Sequence, residues 1–89
     1  MKQIQFNVVV QGKNGMLAQS KVSAITSQNE VGTFDVLPNH ANFISLIKNY
    51  LILHLPQNTQ KEFKFTQGVI EVKNNTVNVF IDVFDNLNN

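Results

Sequence analysis

Hydrophobic residues alternate with polar residues in short runs along this chain, and clusters of turn-forming residues separate the runs. In the first run, 4–10, Ile4, Phe6, Val8 and Val10 share one face, and Gln5 and Asn7 lie on the other. A two-residue apolar period is typical of a β-strand that buries one face. No run of about ten residues shows the 3.6-residue apolar period and the caps of a helix. The pattern predicts an all-β domain.

Turn signals divide the rest of the chain into further strands. Tight turns are predicted at Asn14-Gly15, Lys48-Asn49, Gln67-Gly68 and Asn74-Asn75. Strands are predicted at 4–10, 16–26, 32–37, 43–47, 50–55, 61–66, 69–73 and 76–84. The second of these is predicted either as one continuous strand or as a strand broken by a bulge near Ser20. Strands that recur about every eight to twelve residues indicate a two-sheet β-sandwich of about eight to ten short, mostly antiparallel strands.

A sandwich of this kind buries the alternating apolar residues between its sheets. The expected core members are Ile4, Phe6, Val8, Leu51, Leu53, Phe63, Phe65, Val77, Val79 and Ile81. A chain of 89 residues has room for one domain, which we place at 1–84. The polar residues 85–89 are expected to fray as a tail.

Composition excludes several classes of function. The chain has no cysteine, so disulfides and thiolate metal sites are excluded. No apolar run approaches the roughly 20 residues that span a bilayer, so we expect a soluble domain without direct membrane insertion. The net charge is +1, and all seven cations are lysines scattered singly along the chain. Nucleic-acid binding is not expected, because it usually needs a basic patch and arginine forks.

The sequence shows no arrangement of residues typical of catalysis. The two histidines, His40 and His54, have no carboxylate or cysteine at ligand spacing, so no metal site is predicted. Serines lack the Gly-x-Ser-x-Gly context of a nucleophile, and the four glycines form no phosphate-binding loop. We predict no catalytic residues and no cofactor, and therefore expect the function to depend on what the surface binds.

The stretch 32–41 is the most distinctive part of the chain. It predicts a short strand in which Phe34 and Val36 share one face, stopped by Pro38, which has no N–H to extend a central ladder. Asn39 tolerates the left-handed geometry of a turn, and His40 follows it. Two interpretations of His40 remain open: a surface histidine bonded to nearby backbone, or a residue of a partner contact.

This stretch, Gly-x-Phe-x-Val-Leu-Pro-x-His-Ala, resembles the signature loop of the epsilon subunit of F-type ATP synthases, which is called delta in mitochondria. The runs 67–72 and 74–79 are similar to the family's Gly-Gly-Phe-Val-Glu-Val hairpin, and 4–10 with 22–25 fit its opening strands. The likeness covers nearly the whole chain in order. Asp35, Asn39 and Asn42 depart from it, since the family usually has Gly, Gly and Pro there.

The resemblance implies a non-catalytic rotor subunit in the central stalk, peripheral at the cytoplasmic face of the membrane, with the gamma subunit and the c-ring as partners. The family's loop would face the c-ring, which assigns that contact to Glu30, Gly32, Pro38, His40 and Asn42. The family usually continues into a C-terminal helical hairpin, and this sequence ends at Asn89. In bacterial relatives of the family that hairpin sometimes binds ATP, so we expect no ATP binding by this sequence.

Two phenylalanines on the last predicted strand, Phe80 and Phe84, alternate onto its nominally polar face. Either a neighbouring loop covers them, or they are aromatic anchors of a protein contact. In the second case they are the candidates for the contact with gamma. The functional alternative to a rotor subunit is a free-standing β-sandwich that acts as a protein–protein adaptor or a ligand-binding module.

Overall fold

The structure, a computed structural model, describes residues 4–82. Seven strands make up most of this part of the chain. Their bounds are β1 Phe6–Gly12, β2 Gly15–Val22, β3 Ala24–Gln28, β4 Thr33–Val36, β5 Phe43–Leu55, β6 Thr59–Lys73 and β7 Thr76–Ile81. A single turn of 3-10 helix, Pro56–Asn58, joins β5 to β6. None of the helical structure within residues 4–82 has the length and apolar character needed to cross a membrane.

The strands form one hydrogen-bonded sheet in the order β2-β1-β7-β6-β5-β3-β4. Every neighbouring pair is antiparallel except β1 with β7, which is parallel. The sheet folds over on itself, since β2 contacts β5 although three strands separate them in the hydrogen-bonded order. The predicted all-β sandwich with mostly antiparallel strands is therefore confirmed.

The strand number is seven rather than the predicted eight to ten, because two predicted turns are not turns. Lys48 and Asn49 lie inside β5, and Gln67 and Gly68 lie inside β6. The pairing shifts by one residue there, from Lys48 opposite Gln67 to Asn49 opposite Phe65. A β-bulge takes up the extra residue while the ladder continues, so each pair of predicted short strands is one long strand.

The bulge divides the sheet into two layers. On β6 the buried side chain before the bulge is Phe65, whereas Ile70 and Val72 are buried after it. The inward-facing positions thus change from odd to even numbers, because one extra residue reverses the side-chain alternation. The first layer contains β2, β1, β7 and the paired segments 43–48 and 67–73, and the second contains β3, β4 and the segments 49–55 and 59–65.

The second predicted strand, 16–26, is two strands divided at Ser23. The chain crosses there from β2, at the edge of the first layer, to β3, which pairs with β5 in the second. The Ser23 backbone N–H donates a 2.9 Å hydrogen bond to the His54 carbonyl, and its hydroxyl donates to the same oxygen at 3.3 Å. The break therefore lies at Ser23, and the predicted bulge near Ser20 is instead at Leu17, which is skipped in the β1–β2 pairing.

One hydrophobic core fills the space between the layers. Its buried members are Phe6, Val8, Val10, Val22, Ile25, Val36, Ile47, Leu51, Leu53, Phe65, Ile70, Val72, Val77, Val79 and Ile81. Two predicted core residues differ from expectation. Ile4 is exposed because it precedes the first residue of β1, and Phe63 is only half-buried against the core. The expectations for Phe84 and for the tail 85–89 fall outside the described residues.

Candidate partner-binding surface

The outward face of the first layer carries a row of apolar side chains. Leu46 on β5 pairs with Val69 on β6, which pairs with Phe80 on β7. The row continues through Gln11 on β1 to Met16 on β2. Directly paired residues point to the same side of a sheet. Leu46 is 72% exposed and Phe80 is 52% exposed. We call Leu46, Val69 and Phe80 the outer row, which crosses three adjacent strands without a polar interruption.

Further apolar surface and a few charges surround the outer row. Ile44 precedes Leu46 by two residues on the same face of β5 and is 68% exposed. A groove of about 700 Å³ lies over the row, and the exposed side chains of Lys13, Lys48 and Glu30 contribute to its lining. Contiguous exposed apolar surface rimmed by polar groups is typical of a protein interaction site.

The outward face of the second layer is different, because its polar side chains bond to one another. The Thr26 hydroxyl donates to Asp35 Oδ1 at 2.7 Å, so His54 Nε2, 2.8 Å from Thr26 Oγ1, is the donor in the next bond. Nearby, the hydroxyls of Thr33 and Tyr50 are 2.6 Å apart. These bonds satisfy several polar side chains of this face, and the face suits contact with solvent, which leaves the first layer as the candidate interface.

Residues 29–32, here called the tip loop, connect β3 to β4 beside the groove. Asn29 Oδ1 accepts hydrogen bonds from the backbone N–H groups of Val31 at 2.9 Å and Gly32 at 3.1 Å. The Asn29 backbone N–H donates to the Gly32 carbonyl at 2.9 Å. Gly32 has φ 146°, a conformation that L side chains rarely adopt. Asn29 and Gly32 together hold the loop in one shape, with Glu30 exposed on it.

Residues 37–42, here called the proline loop, leave the other end of β4. The His40 backbone N–H donates to the Leu37 carbonyl at 3.2 Å, and Asn39 has φ 65°. This is the geometry expected when proline precedes a left-handed residue in a tight turn. Pro38 therefore stops β4 as predicted.

The proline loop is bonded to the rest of the domain. The His40 ring lies 5.1 Å from the Phe43 ring, measured between centroids, and His40 Nδ1 donates to the Ala41 carbonyl at 3.0 Å. Asn42 Oδ1 accepts a 2.8 Å hydrogen bond from the Asn74 backbone N–H. Of the two interpretations of His40, the geometry matches the exposed histidine bonded to nearby backbone, and partner contact stays a prediction.

The residues predicted to face the c-ring do not form one cluster. Glu30 and Gly32 are in the tip loop, whereas Pro38, His40 and Asn42 are in the proline loop. The four-residue strand β4, Thr33–Val36, separates the two loops. At about 3.3 Å per residue, that separation is roughly 13 Å or more. Glu30 instead shares its groove with Phe80, which is predicted to face a different partner.

Comparison with known proteins places the chain in a family. The family model described as the ATP synthase delta/epsilon chain, β-sandwich domain, matches residues 3–86. The chain belongs to this family. It is 30% identical over 69 residues to the ATP synthase epsilon chain of a Nitratiruptor species, an alignment that covers 76% of this chain and 54% of that relative. The chain thus spans about half the length of this curated relative.

Two solved structures share the fold of this delta/epsilon domain. One is a chain in the Euglena gracilis mitochondrial ATP synthase (OSCP/F1/c-ring), with a TM-score of 0.80 and 19% identity over 86% of this chain and 50% of that one. The other is in the central stalk and c-ring of the Tetrahymena thermophila mitochondrial ATP synthase, with a TM-score of 0.74 and 17% identity over 92% and 66%. At these identities the likeness is one of fold.

The alternation of apolar residues could have identified more of the outward face of this delta/epsilon domain. Ile44 and Leu46 alternate with the inward positions Phe43, Ser45 and Ile47, the same signal that identifies Phe80. Among residues 4–82 no neighbouring loop covers Phe80, since its side chain is half-exposed. The covering-loop interpretation is therefore wrong for the described residues, and Phe84 lies outside them.

Other residues of the delta/epsilon domain have roles that no sequence signal indicated. Asp82 Oδ1 accepts hydrogen bonds from the backbone N–H groups of Thr66 at 3.1 Å and Gln67 at 2.9 Å, at the bulge of β6. Val31 is 95% exposed in the tip loop. In the part of the chain that the structure describes, no three His, Asp or Glu side chains are grouped to hold a metal ion.

Proposed function

We propose that this chain is a non-catalytic subunit of the central stalk of an F-type ATP synthase, where it joins the gamma subunit to the c-ring during ion-driven ATP synthesis. Membership of the delta/epsilon family supports this assignment. The observation that carries it at the level of residues is the outer row, an exposed apolar strip that crosses three adjacent strands of the first layer. Its location is then peripheral, on the cytoplasmic face of the membrane.

A binding role agrees with the state of the polar side chains. His54 is bonded to Thr26 and, through it, to Asp35, in a chain that lies on the outward face of the second layer. Thr26 takes part in both of these bonds, so its hydroxyl has no hydrogen left to give to a substrate. The domain therefore acts through its surfaces, and its contribution to the synthase is mechanical contact between larger subunits.

The outer row is the proposed contact with gamma. Phe80 is an aromatic side chain at the β7 end of the outer row, the kind of residue that commonly dominates binding energy. Leu46 lies on the far side of Val69 from it and extends the apolar area onto β5. Phe84 stays a second candidate for this contact.

The c-ring contact is assigned to Glu30 and Gly32 in the tip loop and to Pro38, His40 and Asn42 in the proline loop. Because β4 separates the loops, both touch the ring together only if the ring surface runs along the length of β4. Capture of the c-ring by variants altered in one loop at a time, such as Glu30→Lys and His40→Ala, decides which loop makes the contact.

Capture of purified gamma subunit by the full 89-residue chain tests the proposal. Phe80→Glu is expected to weaken the affinity for gamma by at least about tenfold, because it places a charge in an apolar contact. Its stability should fall by no more than about 1–2 kcal/mol, since only about half of the side chain is buried.

Lys64→Gln is the matched control for that experiment. It makes the same change in net charge, one unit more negative, at a side chain that is 82% exposed on the second layer. Its affinity for gamma should equal that of the unaltered chain. Equal affinities for all three proteins, or no capture of gamma by the unaltered chain, would count against the proposed function.

A further inference from the structure

β2 is an edge strand with one open side. It pairs with β1 and stands at the end of the strand order, so among residues 4–82 no strand pairs with its other edge. Its contact with β5 adds no hydrogen-bonded neighbour to the sheet. An open edge presents backbone N–H and C=O groups that can pair with another extended chain. β2 is therefore available for the addition of a strand.

Two other edges are shorter or already bordered. β4 has four residues, one of which is Asp35, and Pro38 follows soon after its end. The segment 43–48 of β5 has the tip loop beside it, since Asn29 Nδ2 donates a 3.4 Å hydrogen bond to Ser45 Oγ. Short length, charge and proline all hinder pairing between edges. Neither edge is as open to strand addition as β2.

The segment 59–65 of β6 is a further edge, in the second layer, and its charges hinder pairing. It carries three charged side chains, those of Lys61, Glu62 and Lys64. β2 has eight residues and a single charged one, Lys21. The bulge of β2 at Leu17 lies near its beginning, so residues 18–22 continue as a regular edge. β2 is thus the long edge with the least protection.

The directions of the side chains restrict how β2 can pair with a copy of itself. Ala18 and Ser20 pair with fully buried residues of β1 and point inward, whereas Gln19 and Lys21 are exposed and point outward. Directly opposite residues of two paired strands point to the same side of a sheet. An antiparallel self-pairing must therefore place inward residues opposite inward residues.

We propose that two copies of the free chain associate through β2, with the strands antiparallel and Gln19 opposite Gln19 of the second copy. Ala18 of each copy then lies opposite Ser20 of the other, so inward residues meet inward residues. Lys21 lies opposite Leu17, so no like charges face each other. This match of faces and charges is what favours a second copy as the added strand, in a contact that uses the same patch twice.

The contact is small, so the association is weak and depends on concentration. The two sheets continue into each other at the edge, and the outer row stays uncovered on the outward face. The inference goes beyond the proposed function and does not depend on it, because it concerns the chain before any other subunit is bound.

Cysteine cross-linking of the full chain tests the register. The sequence has no cysteine, so each variant carries a single thiol. Gln19→Cys should form a disulfide-linked dimer under mild oxidation, because directly opposite Cα atoms lie about 4.5–5.5 Å apart, within the range of a disulfide. Asn7→Cys is the matched control, since Asn7 is exposed on the same face of β1. Three strand spacings, about 14 Å, separate it from its copy, so its dimer should form at least about tenfold more slowly.

Analytical ultracentrifugation of the full chain tests the association itself. The unaltered chain should show a monomer–dimer equilibrium that shifts toward dimer as its concentration rises. Gln19→Lys should raise the dissociation constant by about three- to tenfold, because it places two like charges directly opposite each other. Gln60→Lys makes the same change at an exposed position of the second layer and should leave the constant unaltered.

The outcomes separate this contact from others. Equal cross-linking of Gln19→Cys and Asn7→Cys, or a monomer at every concentration up to about 1 mM, overturns the inference. If Phe80→Glu dissociates the dimer and Gln19→Lys does not, the copies meet through the outer row and the inference also fails. Neither experiment contains gamma, so a monomeric chain leaves the proposed function standing, and a failure to capture gamma leaves the β2 contact standing.

Discussion

At the scale of single residues, Asp82 shows how a surface carboxylate determines local shape. Its Oδ1 atom receives the N–H groups of Thr66 and Gln67, which lie at the bulge of β6. Its own backbone N–H donates to the Gln67 carbonyl at 3.1 Å. Asp82 thus ties the end of β7 to the point where β6 passes from one layer to the other.

Removing this carboxylate should destabilise the domain. Asp82→Ala is expected to lower the free energy of unfolding by about 1–3 kcal/mol, because two backbone donors lose a charged acceptor. Asp82→Asn keeps an acceptor oxygen and should cost clearly less. Urea denaturation of the two variants measures the difference. Equal losses would show that the charge, and not the acceptor geometry, is what stabilises the bulge.

At the scale of elements, the crossing of β6 from one layer to the other depends on a close approach to β7. A Cβ added to Gly68 would lie 2.5 Å from the Phe80 carbonyl oxygen and 2.8 Å from Ile81 Cγ2. Gly68 pairs with Ile81 one residue after Gln67, so the two strands pack closely beside the bulge. Only a residue without a side chain lets β7 keep that position.

Two glycine substitutions test this requirement. Gly68→Ala should cost about 1–3 kcal/mol of stability, because backbone atoms must move to admit the methyl group. Gly12→Ala is the control, since its closest new contact would be with the end of the Leu17 side chain, at 3.1 Å, which can rotate away. Thermal unfolding of both variants should show the larger loss for Gly68→Ala, and a reversed order would be inconsistent with the close approach.

The sequence predicts those parts of the elements that depend on local alternation. Phe6, Val8 and Val77 are identifiable as core because a strand with one buried face must alternate. Lys48-Asn49 and Gln67-Gly68 resemble turns because a bulge uses the same residue types. Whether such a pair reverses the chain depends on the strand opposite, which local sequence does not contain.

The candidate surface is likewise only partly predictable from the sequence. Phe80 is visible in the sequence because its apolar side chain falls on an outward position of a strand. The sequence does not show that Glu30 and Phe80 line one groove, because their proximity follows from the way the sheet folds. The strand predicted at 32–37 already lies between Glu30 and His40, and it is the family resemblance that groups the two residues in one contact; β4 keeps them at opposite ends of an extended segment.

At the scale of the whole molecule, stability comes from one core shared by both layers. Leu51 and Leu53 from the second layer and Val8 and Val79 from the first belong to the same cluster. Small domains bury a modest fraction of their surface, roughly 60–65% for a chain of this length, so each central residue matters. The outer row contributes nothing comparable to folding, because it faces away from this core.

Three substitutions compare how much buried and outward-facing side chains contribute to stability. Leu51→Ala should cost about 2–5 kcal/mol, since Leu51 is fully buried. Phe63→Ala should cost less than the roughly 3–5 kcal/mol of a fully buried phenylalanine, because its ring is only half-buried. Ile44→Ala, on the outward face, should cost less than about 0.5 kcal/mol. Guanidinium denaturation that ranked Ile44 with Leu51 would contradict the assignment of an exposed face.

The parallel pairing of β1 with β7 has a consequence for how the polypeptide is made. Asn7 to Gln11 adjoin Thr76 to Phe80, so β1 leaves the ribosome long before the strand that completes its side of the sheet. Until then the β1–β2 hairpin exposes a free edge and an apolar face, and closing so large a span is slow. A nascent chain of this kind is therefore exposed to aggregation until β7 is synthesised, because unpaired strand edges and exposed apolar surface favour association between chains.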